Sequence, residues 1–132
     1  MNLLFIHDCR FYKENDRVFQ AGTFPTIIWQ NNYLPYFENI TVIGRASADP
    51  CDKTELSSTD DGRVRFVLIR EYDTVKNFLL NHAIIKNKIK DEIDKNDITT
   101  VRLPSQFGFV AADILIKEKK PYTVEVVDNA FD

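Results

Sequence analysis

The chain has 132 residues, 44% of them hydrophobic and 28% charged, with four glycines, five prolines and a formal net charge of -3. A chain of this length buries roughly two thirds of its unfolded surface in one core, so a single domain over residues 1–132 is expected. The acidic balance gives no global drive toward nucleic acid, whose binding rests on clustered cations, and the composition excludes a disordered or fibrous chain.

Residues 2–7 are a compact apolar run ending in His7-Asp8, which reads as a central strand buried on both faces of a parallel sheet. Residues 9–22 are polar and mixed in charge and read as a long loop, a candidate for function on length alone. Pro25 suits a first helical turn, and Ile27, Ile28, Tyr33, Leu34 and Phe37 recur at helical spacing. They predict a helix over 23–37 that Pro35 ends or kinks. A second strand follows at 40–44, then a Ser-, Asp- and Pro-bearing linker over 45–62, then a third strand at 64–69. Val75, Phe78, Leu79, His82, Ile85, Ile89 and Ile93 step along one face of a long amphipathic helix, which makes His82 a packed or edge histidine and the mixed charges of 86–95 a solvated face. Strands at 98–101 and 122–127 flank a helix over 107–117. Strands alternating with helices at these spacings predict a Rossmann-like α/β domain, a mostly parallel sheet with right-handed crossovers and helices on both faces.

In such a sheet ligands bind outside the carboxyl ends of the strands. There His7 and Asp8 leave the central strand as a titratable pair that can orient a hydroxyl, or form only a hydrogen-bonded turn. Arg102, at a strand end, offers a planar fork to a phosphate or carboxylate, or pairs with Glu125 on the neighbouring strand. Ser105 suits an N-cap, a role compatible with ligand contact at the same helix start. The aromatics Phe11, Tyr12, Tyr33, Tyr36 and Phe37 read mainly as core, the alternative being the lining of a ligand groove or a shallow membrane contact. Neither G-x-G-x-x-G nor G-x-x-x-x-G-K-[ST] is present, so no nucleotide cofactor follows from the fold. A phosphotransfer receiver is disfavoured, because Asp128-Asn129 stands where its lysine belongs. Cys9 and Cys51 cannot build a disulfide framework and no Cys/His cluster has zinc spacing, so no metal site is expected and a reducing cytosol is the economical location. The apolar start is too short for a signal, and no run nears the about 18 apolar residues of a spanning helix.

Four segments taken together resemble the amino-terminal half of glycosyltransferase family 4 enzymes, which have the GT-B fold. They are Asn2-Leu3-Leu4-Phe5-Ile6-His7-Asp8, Ala21-Gly22-Thr23-Phe24-Pro25, Val101-Arg102-Leu103-Pro104-Ser105-Gln106-Phe107-Gly108, and Lys120-Pro121-Tyr122-Thr123-Val124-Glu125-Val126-Val127. The resemblance implies the acceptor side of a retaining, nucleotide-sugar-dependent glycosyltransferase of surface polysaccharide or glycolipid biosynthesis. His7, Asp8, Gly22, Arg102, Ser105 and Glu125 would line the acceptor and phosphate cleft, with no catalytic residue assigned. The nucleotide-sugar donor would be held mainly by a carboxyl-terminal domain bearing an E-x7-E motif, which these 132 residues do not contain, so the chain is expected to be inactive alone. A sugar or lipid-linked sugar acceptor and a location at the cytoplasmic face of the membrane are implied with it. The sequence departs from the family in following Gly22 with Thr23 rather than a second glycine, in placing Arg102 where related members carry a His, and in Asp128. The alternative from a different class is a non-catalytic α/β module that binds a small anion or a partner protein in the same cleft. An unpaired half would expose its interdomain surface, which predicts homodimerisation of the isolated domain.

Overall fold

The computed structural model describes residues 1–49, 55–70 and 74–126; Cys51, Asp73, Val127 and Asp128 lie outside them. The strands are β1 (Asn2–Glu14), β2 (Arg17–Gln20), β3 (Asn39–Ala46), β4 (Glu55–Leu56), β5 (Val64–Ile69), β6 (Ile98–Leu103) and β7 (Tyr122–Val126). The helices are α1 (Thr26–Asn32), α2 (Val75–Leu80), α3 (His82–Lys95) and α4 (Gln106–Glu118). Five strands run parallel in the order β5-β3-β1-β6-β7. This is the strand order of a doubly wound sheet, with its direction of winding reversing between β1 and β6. The α/β architecture with helices on both faces is therefore present, α1 on one face and α3 and α4 on the other. The sheet is mixed, because β2 pairs antiparallel with β1 and β4 antiparallel with β2.

Period-2 alternation along β1 assigns each residue to a face. Leu4 and Ile6 join Ile85, Ile89, Phe107 and Leu115 in an aliphatic core beneath α3 and α4. Leu3 and Phe5 join Phe11, Phe24 and Trp29 in an aromatic core beneath α1. Phe5 meets Phe24, Trp29 and Tyr33 edge-on at 5.4, 5.2 and 5.5 Å between ring centroids, the geometry that ring quadrupoles favour.

Four expectations are corrected. Residues 9–22 are not a loop: β1 runs on to Glu14 and turns through Asn15-Asp16 into β2, with Asn15 in the left-handed region at φ 55°. Burial of Phe11 and Val18 against exposed Arg10 and Arg17 supplies the alternation. Gly44 lets Phe11 cross β3, since a Cβ there would lie 2.6 Å from the ring and 2.9 Å from the Cys9 carbonyl. The first helix is shorter than 23–37, with Pro25 at its N-cap and Tyr33 at its C-cap; proline disfavours helical geometry in the residue before it, so Leu34 cannot extend the helix toward Pro35. The 45–62 linker contains β4. The long amphipathic helix is two, divided at Asn81, whose Nδ2 donates to the Asn77 carbonyl at 2.9 Å. Only Phe78 of α2 is buried, so Val75 and Leu79 do not face the core; His82 at the start of α3 is an edge histidine, exposed and 5.7 Å from the Phe78 ring between centroids.

Candidate functional site at the strand ends

Pairing between β1 and β3 shifts register between Ile6 and Arg10. Such a bulge frees residues from the ladder and re-aims their side chains; here it releases His7, Asp8 and Cys9 at the carboxyl end of the central strand. Arg45, just past Gly44 on β3, satisfies the freed backbone, its Nε donating to the Asp8 carbonyl at 2.7 Å.

Alternation separates the predicted residues. His7 stays on the α1 face, 6.3 Å from Phe24 between ring centroids. Asp8 turns to the α4 face, where its Oδ2 accepts from the Gln106 backbone N–H at 3.2 Å, a favourable place for a carboxylate at a helix N-terminus. Arg102 lies within β6, not in the turn after it, because that strand extends to Leu103. Its guanidinium sits on the α1 face, 4.8 Å from the Phe24 ring centroid. Glu125 is its Cα partner on β7, yet the ion pair between them does not form. Glu125 Oε2 instead accepts from the Tyr33 hydroxyl at 2.8 Å, and Arg102 Nε is buried with no hydrogen-bond partner.

Ser105 caps α4 as predicted: its Oγ accepts from Gly108 N at 2.9 Å and donates to the Arg102 carbonyl at 2.9 Å. Both contacts need Gly108, because a Cβ there would lie 2.8 Å from Leu103 Cδ2 and 2.9 Å from the Arg102 carbonyl. Gly22, at φ 85° in the turn before α1, is exposed. The amides beyond it are occupied, since Gln20 Oε1 accepts from Thr23 N at 2.8 Å and Phe24 N at 3.1 Å. The turn thus contributes to the site through Phe24, the platform under Arg102, rather than through free amides.

Burial sets the protonation of the α1-face groups. It lowers the His7 pKa from 6.5, opposed by Asp8 and assisted by the Arg102 and Arg45 cations. Burial, reinforced by Asp8, raises the Cys9 thiol to about 11. At neutral pH both are uncharged and His7 Nδ1 lies 2.6 Å from Cys9 Sγ, so the thiol is a hydrogen-bonding partner of His7 and no thiolate nucleophile. Burial and the bond to Glu125 raise the Tyr33 pKa, which keeps its hydroxyl a donor.

His7, Arg102 and Glu125 are therefore brought together on the α1 face, Asp8 and Ser105 lie behind them at the start of α4, and Gly22 leads into Phe24. Sequence reasoning missed Phe24, Arg45 and Gln20 as parts of this site, and weighed Tyr33 for it only as the lesser alternative to a core position. Arg45 had a legible signal, a cation directly after a buried strand, whereas Gln20 had none. Among the described residues no three His, Cys, Asp or Glu side chains gather to hold a metal ion, and no helix is long and apolar enough to cross a membrane.

No family model matches the chain. Over 133 aligned residues it is 37% identical to Protein CapJ of Staphylococcus aureus, an alignment that takes in 100% of this chain and 33% of that protein. The chain thus spans about one third of the length of the curated relative it matches. Among solved structures, the C-terminal domain of a hydrogenase from Pyrococcus furiosus aligns with a TM-score of 0.46 at 10% identity, over 94% of this chain and 90% of that one.

Proposed function

We propose that this chain is the acceptor-binding domain of a retaining, nucleotide-sugar-dependent glycosyltransferase that acts in capsular or related surface polysaccharide synthesis. The observation that carries the reading is Arg102: a guanidinium stacked on Phe24 at the point where the sheet reverses its winding, with its Nε buried and unpaired. Leaving a buried charged donor without a partner is costly, and a planar fork is suited to a phosphate or carboxylate oxygen pair. An acceptor bearing an anionic group, such as a lipid diphosphate or an acidic sugar, supplies that partner. Glu125, held by Tyr33, and the neutral His7 then lie beside it to accept from and donate to sugar hydroxyls. The similarity to Protein CapJ supports a place in capsule synthesis, and the four family 4 segments support sugar transfer. The donor would be bound mainly by a second domain, at the cytoplasmic face of the membrane.

The test is sugar transfer by this chain together with its donor domain. Arg102→Ala is expected to weaken acceptor use by roughly 30-fold or more, the scale of removing one partner from a charged hydrogen-bonded pair, with the circular dichroism spectrum unchanged. Arg102→Lys restores little, because a lysine cannot reproduce the fork. Undiminished transfer by a folded Arg102→Ala protein would sink the acceptor role.

One observation favours the second reading, a non-catalytic module for a small anion. The Thr23 and Phe24 amides are taken by Gln20, so a donor phosphate finds no free backbone cradle there. Arg102-dependent binding of inorganic phosphate, without transfer when a donor domain is present, would select that alternative.

A further inference from the structure

Arg102 and Glu125 are Cα partners on the neighbouring strands β6 and β7, and both side chains lie on the α1 face. Neighbouring strands run about 4.8 Å apart, and opposite charges set side by side on one sheet face attract. The pair is nevertheless open: Arg102 Nε is buried without a partner, while Glu125 Oε2 accepts from the Tyr33 hydroxyl at 2.8 Å. A buried guanidinium N–H left unpaired next to a carboxylate calls for a cause.

Tyr33 supplies it. The residue is the C-cap of α1, with its N–H bonded to the Trp29 carbonyl at 3.2 Å. Its own carbonyl accepts from Tyr36 N at 3.0 Å and Phe37 N at 3.1 Å. The ring sits 5.5 Å from Phe5 and 5.8 Å from Trp29 between centroids. Backbone and ring together fix where the hydroxyl points, and it points at Glu125. Arg102 is kept on its own side by Phe24, whose ring centroid lies 4.8 Å from the guanidinium carbon, a cation–π contact.

We propose that Tyr33 is a positioning residue that holds Glu125 off Arg102 and so keeps the guanidinium open to an anionic ligand. Without the hydroxyl, Glu125 closes onto Arg102 and fills the anion site from within. The hydroxyl gives Glu125 one charge-assisted bond, whereas a guanidinium fork can give a carboxylate two, so loss of the hydroxyl sends Glu125 to Arg102. A carboxylate tethered beside the fork then competes with every free anion. The consequence for ligand binding rests on the anion-binding reading of Arg102; the exchange of partners rests only on the placement of Tyr33, Glu125 and Arg102.

The experiment has two readouts on the chain labelled with nitrogen-15. One is the Arg102 Nε–Hε resonance without ligand, assigned by its loss in Arg102→Lys; the other is affinity for inorganic phosphate, a probe that carries no sugar hydroxyl. Tyr33→Phe keeps the ring and its packing, and circular dichroism reports that the fold is retained. It is expected to shift the resonance in the parent and to leave it in place in the Glu125→Gln background. Phosphate affinity should fall by roughly tenfold or more on Tyr33→Phe when Glu125 is present, and should not fall on Tyr33→Phe in the Glu125→Gln background. A merely structural Tyr33 would give no such dependence on the charge of Glu125. A resonance unmoved by Tyr33→Phe, or moved equally in both backgrounds, would overturn the proposal. So would phosphate affinity that Arg102→Ala abolishes and Tyr33→Phe leaves intact. A resonance that moves as expected in a parent that takes no phosphate would overturn the anion reading of Arg102 instead, and the exchange of partners would stand.

Discussion

The two faces of the central sheet are built from different materials. Beneath α3 and α4 the core is mainly isoleucine and leucine, with Phe78 and Phe107 among them; beneath α1 the rings of Phe5, Phe11, Phe24 and Trp29 pack together with Leu3, Ile40 and Val42. Aliphatic side chains pack from any direction, and that face is closed by two helices of 14 and 13 residues. The aromatic face is closed by a helix of only seven residues together with the β2 segment, whose Val18 joins that core, and its rings meet by edge and stacking geometry. The rings extend to the carboxyl ends of the strands, where Phe24 supports Arg102. The face with less helix therefore carries the more rigid platform for a charged group, and the candidate site lies on its rim.

The largest way to break this contrast is Trp29→Ala. Trp29 is fully buried, stacks on Phe24 at 5.3 Å and donates from Nε1 to Ser57 Oγ at 3.0 Å. Its truncation should cost about 3–5 kcal/mol in urea unfolding followed by circular dichroism. Leu115→Ala on the aliphatic face should cost about 2–5 kcal/mol. Only the first should also weaken anion binding at Arg102, since only it loosens Phe24; equal effects on binding would refute a face-specific platform.

Gly108→Ala probes the junction of β6 and α4 and should cost about 1–3 kcal/mol through overpacking, as read by a lowered urea midpoint. Ser105→Ala should cost about 1 kcal/mol, the loss of an N-cap, with Arg102 still over its ring. A larger effect of the cap than of the glycine would show that the junction can relax around a methyl group.

The smallest effect expected is in pH dependence. Burial disfavours the His7 imidazolium, so the unfolded chain takes up a proton near the ordinary value of 6.5 while the folded chain does so only at lower pH. Unfolding is then accompanied by proton uptake, and stability rises with pH wherever the unfolded state holds more protons. The contribution of His7 is complete above pH 6.5 and is lost as pH falls through 6.5 toward the folded value. His7→Gln should flatten that part of the stability profile measured by urea midpoints between pH 5.5 and 7.5; an unchanged slope would mean that another group carries it.

Much of this is legible in the linear sequence. The five parallel strands, the helix after Pro104 and the cap at Ser105 follow from local patterns: unbroken apolar runs, 3.6-residue spacing and a serine three residues before Gly108. The strand ends were the place to look for the same reason. The β1–β2 hairpin was not legible as such, since its alternation is hidden among charges and becomes a signal only when Phe11 has Gly44 to lie over. Val75 and Leu79 obey helical spacing and still face outward, because the break at Asn81 turns α2 relative to α3. The pairing of Glu125 with Tyr33 rather than Arg102 was likewise beyond sequence reasoning, as the two partners are 92 positions apart.

By itself, then, the sequence determined what short-range physics controls: which runs bury on both faces, where helices start, and which charged and polar residues leave the sheet at one end. The tertiary structure alone decided how those residues divide. The β1 bulge and the two-residue alternation of β1, β6 and β7 send His7, Arg102 and Glu125 to the aromatic face and Asp8 to the start of α4. A one-residue change of register reverses every such assignment, and register is set by contacts between strands that the linear order does not bring together.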